Sequence, residues 1–458
     1  MASKHPRGLY VLFFTEMWER FGFYLMLALF TLYLTEHLRM TKEEASDLYG
    51  SYMFFVYLTP FFGGVLADRL LGYTRAILMG AALLGAGYLV FSIQNQTAFY
   101  AALFLMVIGN GLFKPNISTL VGNLYPTGDP RRDSAFSIFY MGINLGALFA
   151  GPVGEFMRTK FGWPLAFATA GIGMVFSFLI FAALRNWVTL GDTRSSVAAV
   201  LDVPLPAEYE DRPDPPEVER QRIIALTIMC LIVMFFWMAF HQNGTSLTYW
   251  ANDNTDRVLS IGSWSMEIPP GVFQAFNSAF IIILTPVIVR LMGFLRARNI
   301  EPSTPAKIGI GMVLTAASYG IMVLASWAGG DHGKVHMLWL IACYFVITIA
   351  ELFLSPMGLS MVTKLAPRRM TAMLMGVWFI ATAIGNKLSG YLPARFWDRW
   401  SHAKFFTLLV ITSLVAAGLL LSQFRRLKAA MPPEGPPDED KKQADPEPAV
   451  AAVADAGY

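Results

Sequence analysis

The sequence predicts an all-α integral membrane protein with twelve transmembrane helices in two six-helix bundles. Three observations lead to this fold class. Hydrophobic residues make up 55% of the 458 residues and charged residues only 15%, whereas soluble domains carry about 25% charged residues. Twelve apolar segments have the length that a helix needs to cross a bilayer. One polar segment divides them into six and six.

The apolar segments follow one another with short polar connections. Each is close to the roughly 17–25 residues that a membrane-spanning helix requires, and we number them as predicted spans 1 to 12. Their centres fall near positions 21, 55, 84, 104, 145, 175, 235, 281, 314, 347, 379 and 415.

A Pro- and charge-rich stretch after the sixth span is the longest polar connection, and its composition predicts a solvated linker. The end of the chain is also rich in Pro and charge, which is typical of disorder. We therefore expect an N-terminal six-helix bundle at 1–187, a cytoplasmic linker at 188–220, a C-terminal six-helix bundle at 221–428 and a disordered cytoplasmic tail at 429–458.

The basic residues predict the orientation. If the N-terminus lies inside, most basic loop residues also lie inside, as the positive-inside rule requires. They include Arg69, Arg75, Arg131, Arg132, Arg290, Arg296, Arg298, Lys307, Lys364, Arg368 and Arg369. Both termini are then cytoplasmic, in a multi-pass protein of the cell inner (plasma) membrane. The first apolar run is too long and too charged for a cleavable signal.

The two cysteines, Cys230 and Cys343, both lie in apolar runs. Isolated thiols in such runs are typical of a packed core, and two cysteines make no disulfide framework or metal cluster. We expect no metal site and no cofactor. The chain also lacks the His-Glu-x-x-His and Gly-x-Ser-x-Gly patterns of two enzyme classes, so the sequence does not favour an enzyme.

Three charged residues interrupt span 1. Glu16, Glu19 and Arg20 have the spacing i, i+3 and i+4, which places them on one face of a helix. A charge at mid-membrane depth costs about 3 kcal/mol on insertion scales, so such groups face one another or a water-filled cavity. The cluster is either a relay for protons or substrate, or a buried ion pair that locks helices together.

Few other ionisable residues fall deep in the predicted spans. Lys114 is followed by Pro115, which we expect to open the helix there, and a buried lysine either loses its proton or finds an anion. Glu16 or Glu19 is the expected partner. Glu351 precedes a helix-weakening proline and either binds a substrate amine or pairs with Lys114. His241 is either a proton site or a neutral histidine of the helix packing.

Other polar residues stand out by position. Asn144 and Asn277 are amides inside spans, and each must find hydrogen-bond partners, from neighbouring helices or from a substrate. Gly64, Asp68 and Arg69 stand in a basic loop after span 2, where a structural and conformational role is expected. Lys387 in span 11 remains unassigned at this stage.

Five stretches resemble the proton-dependent oligopeptide transporter (POT) family, a branch of the major facilitator superfamily. They are 16–24, 63–72, 139–146, 236–242 and 351–367. The resemblance implies two six-helix bundles that rock around a central site, and inward transport of di- and tripeptides with protons. Bacterial members often insert two further helices between the halves, but the linker here is too short and polar for them.

The resemblance also implies roles for single residues. It makes Glu16, Glu19, Arg20 and Lys114 the proton-coupling cluster, to which His241 is a candidate addition. Peptide contacts would come from both halves: Arg20 and Lys114 on the carboxylate, Tyr24 on a backbone carbonyl, Glu351, Asn144 and Asn277 on the amine, and Trp237 and Trp378 as walls. The expected partners are a small peptide, protons and the lipid bilayer, with no nucleic acid, and the expected state is a monomer.

The chain departs from the family pattern at three positions. Leu27 stands where a second arginine is expected, His241 where an acid is expected, and Phe23 where a tyrosine is usual. The first two positions pair across the outer mouth in the family, so losing both avoids a stranded charge. Plant nitrate transporters of the family also carry a histidine at this position, so a proton-coupled carrier of nitrate or another small anion is the alternative.

Overall fold

The computed structural model describes residues 5–125, 129, 131–188, 216–298, 300–365 and 371–430. Within them, twelve helices contain 19 residues or more. They are α1 Arg7–Leu32, α2 Lys42–Leu66, α3 Tyr73–Phe91, α4 Gln96–Asn123, α5 Arg131–Phe161, α6 Trp163–Leu184, α7 Pro216–Phe240, α8 Ala275–Ala297, α9 Thr304–Gly329, α10 Leu338–Leu365, α11 Thr371–Phe396 and α12 His402–Ser422.

Each predicted span centre lies inside one of these helices, in order. By length and composition, nine helices of the described chain are long and apolar enough to cross a membrane. The other three long helices are α1, which carries the three charges, α10, whose apolar part Leu338–Leu354 is shorter, and α11. The predicted linker lies largely, and the predicted tail almost wholly, outside the described residues, as do Arg368 and Arg369, so the domain limits stay a prediction.

Short elements complete the fold. Strand β1 Thr255–Asp256 pairs in parallel with β4 Val335–His336, and β2 Val258–Ile261 pairs antiparallel with β3 Trp264–Glu267. An all-α prediction does not include these two small sheets, which lie in connections of the C-terminal half. The remaining elements are π-helical turns Tyr33–His37 and Ala67–Leu71, 3-10 turns Arg185–Trp187, His241–Gly244 and Pro270–Gln274, and helices Ser246–Asp253 and Phe424–Ala430.

The expected helix opening at Pro115 is wrong, because α4 continues through this residue. Proline removes the backbone donor that would bond the Gly111 carbonyl, and polar side chains close to it bond other carbonyls of the same helix. Asn116 donates to the carbonyl of Leu112 at 2.7 Å, and Thr119 donates to that of Pro115 at 2.9 Å. The backbone of α10 likewise stays helical across Pro356.

Each half of the chain has its own hydrophobic core. One cluster of buried side chains runs from Leu9 to Val188 and the other from Ala225 to Leu427. In the first half α1 packs against α5 and α6, and α3 against α4; in the second, α9 packs against α10 and α12. No described residue belongs to both clusters.

Polar contacts between the halves gather where α1 ends and α2 begins, which we call the α1/α2 end. Here α2 packs along α11, and α5 along α8. Lys387 belongs to this seam, since its ammonium lies 2.8 Å from Asp47 and 2.7 Å from Ser51. The contacts include Leu27–Gln274, Thr31–Gly244, Lys42–Asp253, Glu43–Arg395, Ser46–Tyr249, Asp47–Lys387 and Glu155–Gly271.

Candidate functional site

The charged residues of α1 form one compact cluster. The guanidinium of Arg20 donates to both carboxylate oxygens of Glu19, and its Nε lies 3.3 Å from Glu16 Oε1. All three side chains are at least 97% buried. Asn110 of α4 accepts from Arg20 at 3.4 Å and donates to the carbonyl of Val56 at 2.8 Å. The second carboxylate oxygen of Glu16 has no hydrogen-bond partner in the described chain.

Lys114 does not form the expected ion pair. Its ammonium lies over the ring of Tyr57, 4.8 Å from the centroid, and no carboxylate of the described residues lies within 4 Å of it. It still interacts electrostatically with Arg20, Glu19 and Glu16. Arg20 contacts both α1 carboxylates. Lys114 therefore lies beside the cluster, against the π face of Tyr57 and without an ion-pair partner among the described residues.

His241 lies at the end of α7, in the turn that follows it, and is 95% buried. Its ring stacks on Trp237 at 5.4 Å between centroids and meets the Tyr57 ring edge-on at 5.5 Å. Neither ring nitrogen has a hydrogen-bond partner among the described residues. The ring is packed, but no described residue supplies the hydrogen bond that the alternative of a neutral histidine bonded within the helix packing requires. The role of His241 stays a prediction.

Glu351 of α10 is the acid of the C-terminal half. Its Oε2 accepts from the amide of Asn277 at 2.9 Å, and the same amide donates to Thr348 at 3.0 Å. No cation of the described chain lies within 4 Å of Glu351, so the alternative of a static pair with Lys114 is not what the structure contains. The amide fixes the carboxylate without neutralising its charge.

Tyrosines of the N-terminal half bring these groups together. Glu351 interacts electrostatically with Tyr24 of α1, Tyr57 of α2 and Tyr140 of α5. Tyr57 in turn contacts Lys114 and His241. The α1 cluster, Lys114 and Glu351 therefore lie near these tyrosines between the halves, and we call this region the chamber.

Of the remaining predicted contact residues, Asn277 bonds Glu351 and Trp237 packs against His241. Asn144 is 96% buried and donates to the carbonyl of Tyr140 one turn earlier in α5. Trp378 on α11 is 93% buried. The structure gives Asn277 a partner in the C-terminal half, whereas the described hydrogen bond of Asn144 stays within its own helix.

The loop motif runs from the last turn of α2 into the π-helical turn that follows it. Gly64 approaches Pro115 of α4, since a Cβ at Gly64 would lie 3.8 Å from the proline Cβ. Asp68 and Arg69 are exposed. Asp68 accepts from the Tyr73 hydroxyl at 2.7 Å, a contact that ties the end of the π-helical turn to the start of α3. Its conformational role stays a prediction.

Sequence reasoning missed several residues that the structure joins to the site. Tyr57 carried no signal, because it is one of 17 tyrosines in an aromatic-rich chain. Asn110 did carry a signal, because it precedes Lys114 by four residues and therefore shares a face of α4 with it.

At the departures from the family pattern, Leu27 is buried and its backbone carbonyl reaches the seam, where it accepts from Gln274 at 3.3 Å.

Comparison with known proteins agrees with this architecture. The family model described as PTR2, POT family, matches residues 74–201 and 216–402. A peptide transporter of Yersinia enterocolitica is 33% identical over 451 residues, covering 85% of this chain and 87% of that protein. A di-/tripeptide transporter of Lactococcus lactis subsp. cremoris is 30% identical over 476 residues, covering 91% and 94%.

Solved structures give the same picture in three dimensions. The crystal structure of peptide transporter POT in complex with sulfate matches with a TM-score of 0.82 and 31% identity, covering 93% of this chain and 96% of that one. A POT family transporter in complex with a thioalcohol-conjugated peptide matches with a TM-score of 0.80 and 28% identity, covering 92% and 97%.

Proposed function

The chain belongs to the POT family of membrane transporters, and on that premise we propose that it imports di- and tripeptides together with protons by alternating access. It is a multi-pass transporter with a major facilitator fold, not an enzyme. The peptide cargo is supported by relatives that are named di-/tripeptide transporters. The proton as coupling ion, and the roles of single residues, are inferred from the charges of the chamber.

One observation carries the proposal: the chamber is bordered by one cation and one anion, from opposite halves, that form no ion pair with a described residue. Lys114 belongs to the N-terminal half and Glu351 to the C-terminal half, and neither has an ion-pair partner among the described residues. A small peptide is a zwitterion, so its carboxylate suits Lys114 and its amine suits Glu351. A ligand held by both halves favours the state in which they close on it.

The charge balance of the chamber supports coupling to protons. With ordinary ionisation, the α1 cluster and Lys114 together are neutral, because two carboxylates face two cations. A peptide carboxylate on Lys114 leaves one negative charge in excess in a buried site, which favours uptake of one proton. Glu16 is the candidate acceptor, since one of its oxygens has no hydrogen-bond partner in the described chain.

We place the protein in the cell inner (plasma) membrane as a monomer, with both termini in the cytoplasm. Basic loops support this orientation. The α1/α2 end then faces outward, and its polar seam closes the chamber on that side. A peptide bound in this state would leave towards the cytoplasm.

The proposal is tested by uptake of radiolabelled dialanine into proteoliposomes. An inside-negative potential with an acidic exterior should drive accumulation, and Glu19→Gln and Lys114→Met should abolish it. Glu217→Gln and Lys334→Met are matched controls, because both wild-type side chains are exposed, and both variants should transport normally. Uptake that ignores the proton gradient would contradict proton coupling.

The small-anion alternative rests on a separate observation. His241 has two free ring nitrogens, interacts electrostatically with Lys114 and shares the Tyr57 ring with it. A protonated His241 beside Lys114 could hold nitrate. Nitrate that raises the unfolding temperature of the wild type but not of His241→Ala would support this function, whereas a response to dialanine alone would exclude it.

A further inference from the structure

A second buried acid lies at the seam between the halves, away from the chamber. Glu155 of α5 is fully buried. It follows Asn144 by eleven residues, which is about 16 Å along the helix. Its Oε1 accepts from the backbone N–H of Gly271 in the other half at 2.7 Å, and Arg158 donates to its Oε2 at 2.6 Å. Arg158 also reaches Glu36, at 3.0 Å.

Gly271 fits this carboxylate because it has no side chain. A Cβ at this position would lie 2.7 Å from Glu155 Oε1 and 3.0 Å from the carbonyl oxygen of Ala28. The fit is mutual across the seam, since a Cβ at Gly151 of α5 would lie 2.5 Å from the Gly271 carbonyl oxygen. Backbone therefore meets backbone here, with the Glu155 carboxylate filling the remaining space.

The donor is well suited to an anion. Gly271 lies in the 3-10 turn Pro270–Gln274, which leads directly into α8. Backbone N–H groups in the first turn of a helix have no partner within the helix and attract negative charge. Glu155 thus satisfies a free donor of the C-terminal half while Arg158 balances its charge from the N-terminal half.

We infer that Glu155 is a positioning residue of the transport cycle, which latches the α1/α2 end shut through Gly271. The inference rests on the proposed alternating access, since opening this end must separate α5 from the start of α8. Separation removes the Gly271 hydrogen bond and leaves Glu155 with Arg158 alone. We call Glu155, Arg158 and Gly271 the latch.

Neighbouring contacts show that the latch continues a polar seal. Gln274, three residues after Gly271, donates to the carbonyls of Leu27 at 3.3 Å and Asn243 at 3.0 Å. Both bonds are donated by the Gln274 side-chain amide, and the one to Leu27 crosses the seam. Glu155 differs from Gln274 in being a buried carboxylate, so its hydrogen bond to the other half involves a charged group.

The experiment measures the width of the α1/α2 end by double electron–electron resonance, which gives the distances between two nitroxide labels. Lys160→Cys at the end of α5 and Ser265→Cys in β3 are exposed labelling sites on opposite halves, in a background with Cys230 and Cys343 replaced by alanine. Glu155→Leu should raise the ratio of long to short distances about tenfold or more without substrate, because a hydrogen bond to a charged group is lost.

Two further variants keep the result interpretable. Glu155→Gln retains an acceptor for Gly271 and should give a smaller shift, and Gly271→Ala should shift the ratio as Glu155→Leu does, because its methyl group collides with the carboxylate. Gly293→Ala in α8 is the matched control, since nothing lies within 4 Å of its Cβ, and it should match the wild type.

The outcomes separate the latch from the proposed cargo. Wild-type distances in both Gly271→Ala and Glu155→Gln, with unchanged gel-filtration profiles, would overturn the latch even if Glu155→Leu failed to fold. Because the distances are measured without substrate, a shifted ratio in a protein that does not take up peptides would support the latch and reject the proposed function.

Discussion

The assignment of Lys114 to the peptide carboxylate can be tested by changing both partners. Lys114→Met removes the ammonium but keeps a long side chain over the Tyr57 ring. Dialanine amide lacks the carboxylate that we expect Lys114 to hold. If the two groups meet, the substitution weakens binding of dialanine and leaves binding of dialanine amide unchanged.

The structure sets the size of this effect. Two unit charges 4 Å apart interact by about 4 kcal/mol at an effective dielectric constant of about 20. Loss of solvation offsets part of this, and hydrogen bonds with charged groups contribute about 1.5–3 kcal/mol net, which is about 10- to 150-fold in Kd. Arg20 should contribute less directly, because Glu19 and Glu16 already occupy its guanidinium.

Isothermal titration of purified protein with both ligands measures the four Kd values. A matched cycle uses Glu351→Gln and N-acetyl-dialanine, which lacks the amine. Equal losses for dialanine and its amide in Lys114→Met would show that the lysine acts on the fold or on the cluster, and would refute the proposed contact. If Glu351→Gln weakened binding only of ligands that have the carboxylate, and Lys114→Met only of ligands that have the amine, the peptide would bind in the opposite orientation.

Three further predictions concern stability, and thermal unfolding in detergent measures each of them. Arg20→Gln should cost about 3–5 kcal/mol, because it strands two buried carboxylates, and changing all three residues of the cluster to glutamine should recover most of the loss; a greater loss in the triple variant would contradict this. Hydrogen bonds from Arg296 above all hold the pKa of Glu301 down at about 2, so the pair stabilises the fold above about pH 4.5 and the contribution disappears as pH falls towards 2. Glu301→Gln should therefore lower stability at pH 7, by less than about 1 kcal/mol because Arg296 is exposed, and should match the wild type near pH 2. Thr41 caps α2 by accepting from the Glu44 N–H at 3.2 Å, so Thr41→Ala should cost about 1 kcal/mol while Thr41→Ser should not.

The helices could be predicted from the sequence because each depends on a local property. An apolar run of spanning length must form a helix in a membrane, where every backbone donor and acceptor needs a partner within the segment. The expectation failed at Pro115, where α4 stays helical although its backbone lacks one donor. Local composition reveals a proline but not whether the helix continues through it.

The candidate site was predictable in its residue types and less so in its pairings. Buried charges are costly, so Glu16, Glu19, Arg20, Lys114 and Glu351 stood out by position alone. Which carboxylate meets which cation depends on distances between helices, which the sequence does not contain. In the structure Arg20 contacts both Glu16 and Glu19, whereas Lys114 lies over the Tyr57 ring.

The partner of Glu155 was hidden for a different reason. An acid eleven residues after Asn144 lies near a helix end, where charged residues are ordinary, and a glycine after two prolines predicts only a turn. The signal appears once α5 and α8 are placed side by side. Gly271 has no side chain, and the Glu155 carboxylate occupies the space that this leaves. The two residues therefore form one contact.

The separation of the cores explains why such small contacts can control the transporter. Rocking of the halves leaves both apolar cores intact. The seam consists of hydrogen bonds, of ion pairs such as Lys42 with Asp253, and of close backbone contacts such as Gly50 against Gly390, where an added Cβ would lie 3.0 Å from the opposite Cα. Each neutral hydrogen bond contributes about 0.5–1.5 kcal/mol net. A zwitterion held by Lys114 and Glu351, or the loss of Glu155, should therefore shift the populations of the two states measurably.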